Sequence, residues 1–169
     1  MSLFIPIFRA LNNSGIRYVV VGGLATVLHG YSRLTADIDI VIELEEGKAL
    51  KVIKALTGFG LKPRIPVLAE DFANSAIRKQ WIEDKGMQVF SMWKPDEPLV
   101  SVDLFVQYPV NFDQLWNNAE QIDLGELSIR IASIPHLIEM KKQANRPQDL
   151  IDIEKLTVIA AKKKSNNHD

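Results

Sequence analysis

Tyr18-Val19-Val20-Val21-Gly22-Gly23, followed at a short interval by Arg33-Leu34-Thr35-Ala36-Asp37-Ile38-Asp39-Ile40, decides how this chain is read. The first piece closes an apolar, β-branched run from Ile16, as expected of a strand buried on both faces. Two glycines end it, Leu24 to His29 reads as a short helix closed by Gly30, and Asp37 to Leu44 reads as a second strand. Asp37 and Asp39 stand two apart in that strand, so both project from one face while Ile38 and Ile40 point to the other. Paired carboxylates on one strand face suit a hard divalent cation, above all Mg²⁺ with a bound phosphate. The glycines let backbone N–H groups approach an anion at a helix start. The stretch therefore describes a metal-dependent phosphoryl-group site.

A third acid extends the argument. Ser101-Val102-Asp103-Leu104-Phe105-Val106 is a strand pattern with one isolated aspartate, which is costly to bury unless it is paired or bound to a cation. Should this strand neighbour the Asp37/Asp39 strand, the three carboxylates converge. Such a site holds two Mg²⁺ ions about 3.5–4 Å apart, clamping the attacking and leaving oxygens of an in-line displacement.

The remaining chain reads as follows. Leu3, Ile7, Ala10 and Leu11 mark a helix over residues 3 to 13, stopped by Asn12-Asn13-Ser14-Gly15. Glu45 to Phe59 is an amphipathic helix with Leu50, Ile53 and Leu56 inward. From Leu61 an irregular connection with one helix is expected. Val89 to Met92 and Leu99 to Val106 are strands around a Lys94-Pro95-Asp96-Glu97-Pro98 turn, and Glu126 to Ile131 is a short strand. Ser133 caps a helix that runs to about Gln143 with Pro135 in its first turn. Arg146-Pro147 interrupts it, a last helix covers Gln148 to about Ala161, and residues 163–169 form a frayed tail. The expectation is one α/β (α+β) domain over 1–169: a mixed, twisted sheet flanked by helices in residues 1–109, then a mostly helical part in 110–162.

Composition narrows the function classes. The chain has 169 residues, 47% of them hydrophobic and 24% charged, enough for a proper core. Its formal net charge of −1 advertises no global basic field for nucleic acid. The absence of cysteine excludes disulfides, thiol catalysis and thiolate zinc sites, and fits a cytoplasmic location. Met1 to Phe8 is too short, and lacks a preceding basic segment, to read as a signal peptide, and no apolar run approaches the ~20 residues of a membrane span.

The ordered set Gly22-Gly23, Asp37-Ile38-Asp39 and Asp103 resembles the DNA polymerase beta-like nucleotidyltransferase superfamily. The fuller string Gly22-Gly23-Leu24-Ala25 … His29-Gly30 … Arg33-x-Thr35-x-Asp37-Ile38-Asp39 is similar to its minimal and AbiEii-like members. So is Leu137-Ile138-Glu139-Met140-Lys141 … Arg146-Pro147-Gln148-Asp149-Leu150-x-Asp152-Ile153. The resemblance implies the nucleotidyltransferase fold and transfer of a nucleoside monophosphate from an NTP, ATP among them, to a hydroxyl of a small molecule, a protein or an RNA end. It implies that Asp37, Asp39 and Asp103 bind two Mg²⁺ ions (Mn²⁺ is also suitable), with Asp103 helping to deprotonate the acceptor. It implies that Gly22, Gly23, Arg33, Thr35 and Lys141 bind the nucleotide, with Arg146 a further candidate. AbiEii-like members include toxins, so an antitoxin or other protein, or an RNA, is a candidate partner. Many members carry Ser where this chain has Gly23, which leaves only backbone donors there.

Several residues stay open at this point. His29 is either a helix-end residue or a contact to nucleotide or acceptor. Lys141 and Lys142 compete for the site-facing position, and Arg146, Asp149 and Asp152 are either site residues or an ion-paired corner. Trp81, Trp93 and Trp116 read as core or cleft-wall aromatics. The competing function is a catalytically silent NTP- or metal-binding module that regulates a partner.

Overall fold

The computed structural model describes residues 1–168. The chain opens with α1 (Ile5–Asn13), which carries Pro6 in its first turn where no intrahelical donor is lost, and buries Ile7, Phe8 and Leu11. β1 (Tyr18–Val21) is buried at every position, as its unbroken apolar run requires. α2 (Gly22–Leu28) begins on the glycines themselves, and β2 (Asp37–Ile42) follows. Along β2 the two aspartates are partly exposed while Ile38 and Ile40 are buried, so the alternation read from sequence is the alternation of the fold.

α3 (Glu46–Gly58) buries Ala49, Val52, Ile53 and Leu56. The stretch expected to be irregular contains a two-residue strand, β3 (Lys62–Pro63), a 3-10 turn (Ala69–Ala73) and α4 (Ser75–Lys85). The side chain of Asn74 caps α4 by accepting from the N–H groups of Ala76 and Ile77. β4 (Val89–Lys94) and β5 (Glu97–Phe105) form a hairpin. Besides β3, two further elements were not expected: α5 (Phe112–Asn118) and β6 (Glu120–Asp123), the latter pairing with β7 (Ser128–Ile131). α6 (Ile134–Ala144) is capped by Ser133, and α7 (Pro147–Asn166) continues through most of the segment expected to fray. Asp169, the last residue of that expected tail, lies outside the described residues.

Among the described residues the strands form one mixed seven-stranded sheet in the order β3-β4-β5-β2-β1-β7-β6. This is the mixed α/β architecture expected from sequence. The decisive neighbour relation is β2 beside β5, parallel, with Asp39 opposite Asp103 and Asp37 opposite Ser101. On the other side β1 runs antiparallel to β2, which sets Val21, the last residue before the glycines, opposite Asp39. Among the described residues no helix is long and apolar enough to cross a membrane.

Candidate active site

Because Asp39 and Asp103 are direct partners in a parallel ladder, their side chains leave the same face of the sheet side by side. Asp37 joins them two residues back. All three border a pocket of about 740 Å³ that is also lined by Gly22, Gly23, Arg33 and Thr35. α6 contributes Leu137, Met140 and Lys141 to the same pocket, and Arg146 follows it at the helix break.

The glycines are there for space. Gly22 sits at φ 66°, a left-handed backbone conformation, and a Cβ at this position would overlap the Asp39 carboxylate. At Gly23 a Cβ would stand 2.7 Å from Arg33 Nη2 and 2.9 Å from Thr35 Oγ1. The space a serine would need is thus filled by two donors brought in from the segment ahead of β2.

The acids crowd one another. Burial, then the charges of Asp103 and Asp37, push Asp39 up to about 7, against the weaker pull of Arg146 and Lys141. Burial also raises Asp103; the Ser91 hydroxyl opposes this by donating to its Oδ1 at 2.6 Å, while Asp37 reinforces it. Ser91 faces Asp103 across the β4–β5 ladder, a positioning contact that sequence reading missed and that follows once the hairpin register is known. Among the described residues no group of three His, Asp or Glu side chains is closed into a ready metal cage. Carboxylates that crowd beside an open pocket, and are destabilised as anions by one another, nonetheless suit a hard divalent cation.

The basic residues divide into two kinds. Lys141 lines the pocket, yet it is only 5% exposed and its Nζ donates to Asp152 Oδ2 at 2.8 Å, with Asp149 Oδ1 at 4.0 Å. Arg33 Nη2 donates to the same Asp152 oxygen at 3.0 Å, and Gln148 Nε2 donates to Oδ1 at 2.9 Å. Burial pushes Asp152 up, but the hydrogen bonds from Lys141 and Gln148 and the charges of Lys141 and Arg33 outweigh it and hold it below the usual carboxylate range. Arg146, in contrast, pairs with Asp149 at 2.8 Å through Nε while its side chain stays largely exposed at the pocket. The ion-paired corner and the site are therefore one structure, and Lys142 is exposed outside it. His29 stands apart from the pocket: it is buried, its Nε2 lies 2.8 Å from the Ala132 carbonyl, and Lys163 Nζ approaches Nδ1 at 3.2 Å. Trp81 stacks on Phe90, Trp93 lies under Arg64 and Trp116 under Arg130; none lines the pocket.

A mixed sheet with acids on two parallel central strands, beside a strand–Gly-Gly–helix turn, fits the nucleotidyltransferase fold that the resemblance in sequence implied. The chain belongs to the family described as nucleotidyltransferase of unknown function (DUF6036), whose model matches residues 9–163, and it is accordingly an enzyme of nucleotidyl transfer. Solved structures agree in fold. The lincosamide antibiotic adenylyltransferase LnuA, bound to lincomycin, superposes with a TM-score of 0.60 at 17% identity, over 93% of this chain and 95% of that one. ANT(2")-Ia in complex with adenylyl-2"-tobramycin gives 0.57 at 14% identity, over 98% and 97%. An antigenic nucleotidyltransferase-like protein from Paracoccidioides brasiliensis gives 0.57 at 18% identity, over 90% and 73%. No protein of curated function matches the chain.

Proposed function

We propose that this enzyme moves a nucleoside monophosphate from an NTP, ATP among them, to a hydroxyl of an acceptor in a reaction that depends on a divalent cation. The observation that carries the reading is the parallel register of Asp39 against Asp103, with Asp37 beside them, on the wall of a pocket shared with Gly22 and Gly23. Asp37, Asp39 and Asp103 would hold Mg²⁺, with Mn²⁺ as a substitute; bound there, the cation neutralises triphosphate charge and stabilises the attacking and leaving oxygens. Gly22 and Gly23 present backbone to the triphosphate, with the Arg33 guanidinium, the Thr35 hydroxyl and the exposed Arg146 as its side-chain donors. Lys141 adds positive charge from behind, held by Asp152.

In this reading the acceptor oxygen attacks the α-phosphorus and forms the new O–P bond. The bond to the bridging oxygen breaks, and pyrophosphate leaves with its electron pair. Asp103 takes the acceptor proton, a task suited to a carboxylate raised by burial and aimed by Ser91. A reaction fed by NTP, in a chain without cysteine, supports a cytoplasmic location.

Calorimetric titration with each NTP, with and without Mg²⁺, tests the proposal on wild type and on the Asp37→Asn/Asp39→Asn double variant. Metal-dependent binding lost in the variant supports it, and the release of pyrophosphate then separates an enzyme from a silent module. Equal binding by both proteins would overturn the assignment of the acids. The similarity of the motif string to AbiEii-like members supports a second reading, a toxin acting on an RNA end or a protein and restrained by an antitoxin. Growth arrest on expression of wild type but not of Asp37→Asn would favour it; unimpaired growth would count against it.

A further inference from the structure

The pocket is not evenly charged. Its ionic groups gather toward β1 and β2: Asp37 and Asp39 on β2, Arg33 just ahead of it, Lys141 and Arg146, whose charges act on Asp39, and Asp149, which pairs with Arg146. Asp103 stands at the border, on β5. Beyond it, toward β4, the same face of the sheet carries Val89 and Phe105, which are direct partners in the β4–β5 ladder. Phe105 follows Asp103 by two residues and so leaves the same side of the strand about 7 Å further along. Gln88, Gln107 and Tyr108 complete this end, and Gln143 of α6 closes it by donating to the Pro109 carbonyl at 3.2 Å. None of these residues is an Asp, Glu, Lys, Arg or His. Arg64, a cation whose field reaches Asp103, turns to Ser101 and the Trp93 ring and does not line the pocket.

We propose that this β4–β5 end is the acceptor subsite and that the acceptor is an uncharged, hydroxyl-bearing small molecule with an apolar face. The inference rests on the nucleotidyl-transfer reading and adds the substrate class to it. An NTP laid against Gly22, Arg33 and Arg146 occupies the ionic end, which leaves the neutral end for the second substrate, with Asp103 between the two. A charged acceptor seated there would lose hydration without gaining an ionic partner from Gln88, Val89, Phe105, Gln107 or Tyr108. An uncharged one loses little. Its apolar face packs on Phe105 and Val89, while the amides of Gln88 and Gln107 give and take hydrogen bonds with its hydroxyls. The hydroxyl nearest Asp103 surrenders its proton to that carboxylate as its oxygen bonds to the α-phosphorus and pyrophosphate departs.

The test offers α-labelled ATP with Mg²⁺ and three acceptor sets: neutral aryl glycosides, the polycation tobramycin, and an RNA oligonucleotide with a free 3′-hydroxyl. Label is expected on the aryl glycosides. Label on tobramycin or RNA instead would overturn the proposal, as would label on none of the three while ATP still binds. Failure of ATP to bind wild type would strike the nucleotidyl-transfer reading itself. Two variant experiments address the wall. Phe105→Ala should raise the acceptor KM about tenfold with the ATP Kd unchanged. A weakened ATP Kd with unchanged acceptor KM would assign the wall to the nucleobase and overturn the proposal. Gln107 is exposed, so Gln107→Glu and Gln107→Lys keep the fold. An uncharged acceptor does not distinguish the sign of the new charge, and the two variants should fall within about threefold of each other. Opposite responses would reveal a charged acceptor.

Discussion

Gly22 shows how tightly a single residue constrains the site. With φ at 66° and the Asp39 carboxylate lying where a Cβ would go, Gly22→Ala is expected to cost roughly 1–3 kcal/mol and to displace Asp39. A thermal melt and a Mg²⁺–ATP titration on that variant check both effects. Asp39 itself is expected to behave in the opposite sense for stability. Its folded-state pKa of about 7 lies above its ordinary value, so folding disfavours the carboxylate. The penalty is fully present above about pH 7 and vanishes below the ordinary carboxylate pKa of about 4; at the top of that window it is on the order of 4 kcal/mol. In a chelator, wild type should therefore gain stability as pH falls from 8 to 5. Asp39→Asn should be more stable than wild type at pH 8, less dependent on pH across that window and devoid of turnover. Melts of the two proteins across the range measure this. Asp37 and Asp39 were legible in sequence because strand alternation puts both on one face whatever the rest of the chain does. Ser91 was not, because its contact with Asp103 depends on the register of a hairpin with a bulge at Trp93/Lys94.

At the level of the element, α7 is tied to the pocket through Asp152, which is fully buried and receives Arg33 and Lys141 on one oxygen. Removing one member of a buried charge set leaves the others unpaired, so Asp152→Ala is expected to cost about 3–5 kcal/mol. The same change frees Arg33 and should weaken ATP binding, which separates the loss of positioning from the loss of fold when titrations are run well below the melting temperature. Lys141→Met should lower the melting temperature more than it weakens ATP affinity, because the ammonium is already bound to Asp152. A loss of affinity without a loss of stability would return Lys141 to direct phosphate contact. Asp149 and Asp152 are both held below the usual carboxylate range, so the stability they confer is present at neutral pH and lost as acid protonates them below it. The motif spacing from Leu137 to Ile153 made these helices readable. α5 and β6 escaped for physical reasons: α5 has only seven residues, and β6 is a two-sided edge strand alternating partly buried with exposed positions. Neither offers the long period on which sequence reading depends.

Across the whole molecule, ligand binding and stability are coupled. Mg²⁺–ATP present at about a hundred times its Kd should add about 2.7 kcal/mol, a rise in melting temperature of roughly 5–10 °C. Asp37→Asn/Asp39→Asn should show none of that rise, and scanning calorimetry on both proteins reads it directly. The sheet that makes this coupling possible is assembled from distant parts of the chain. β1, the strand that delivers Gly22, has β2 on one side, but its other neighbour is β7, joined through Val20 opposite Ile131. During synthesis the first pairing is available early, while the second waits until most of the polypeptide has left the ribosome. Through that interval one edge of Tyr18-Val19-Val20-Val21 has no partner, and an unpaired, uncharged, β-branched edge is a template for self-association. A chain cut short before Ile131 should therefore aggregate rather than fold into a smaller working enzyme.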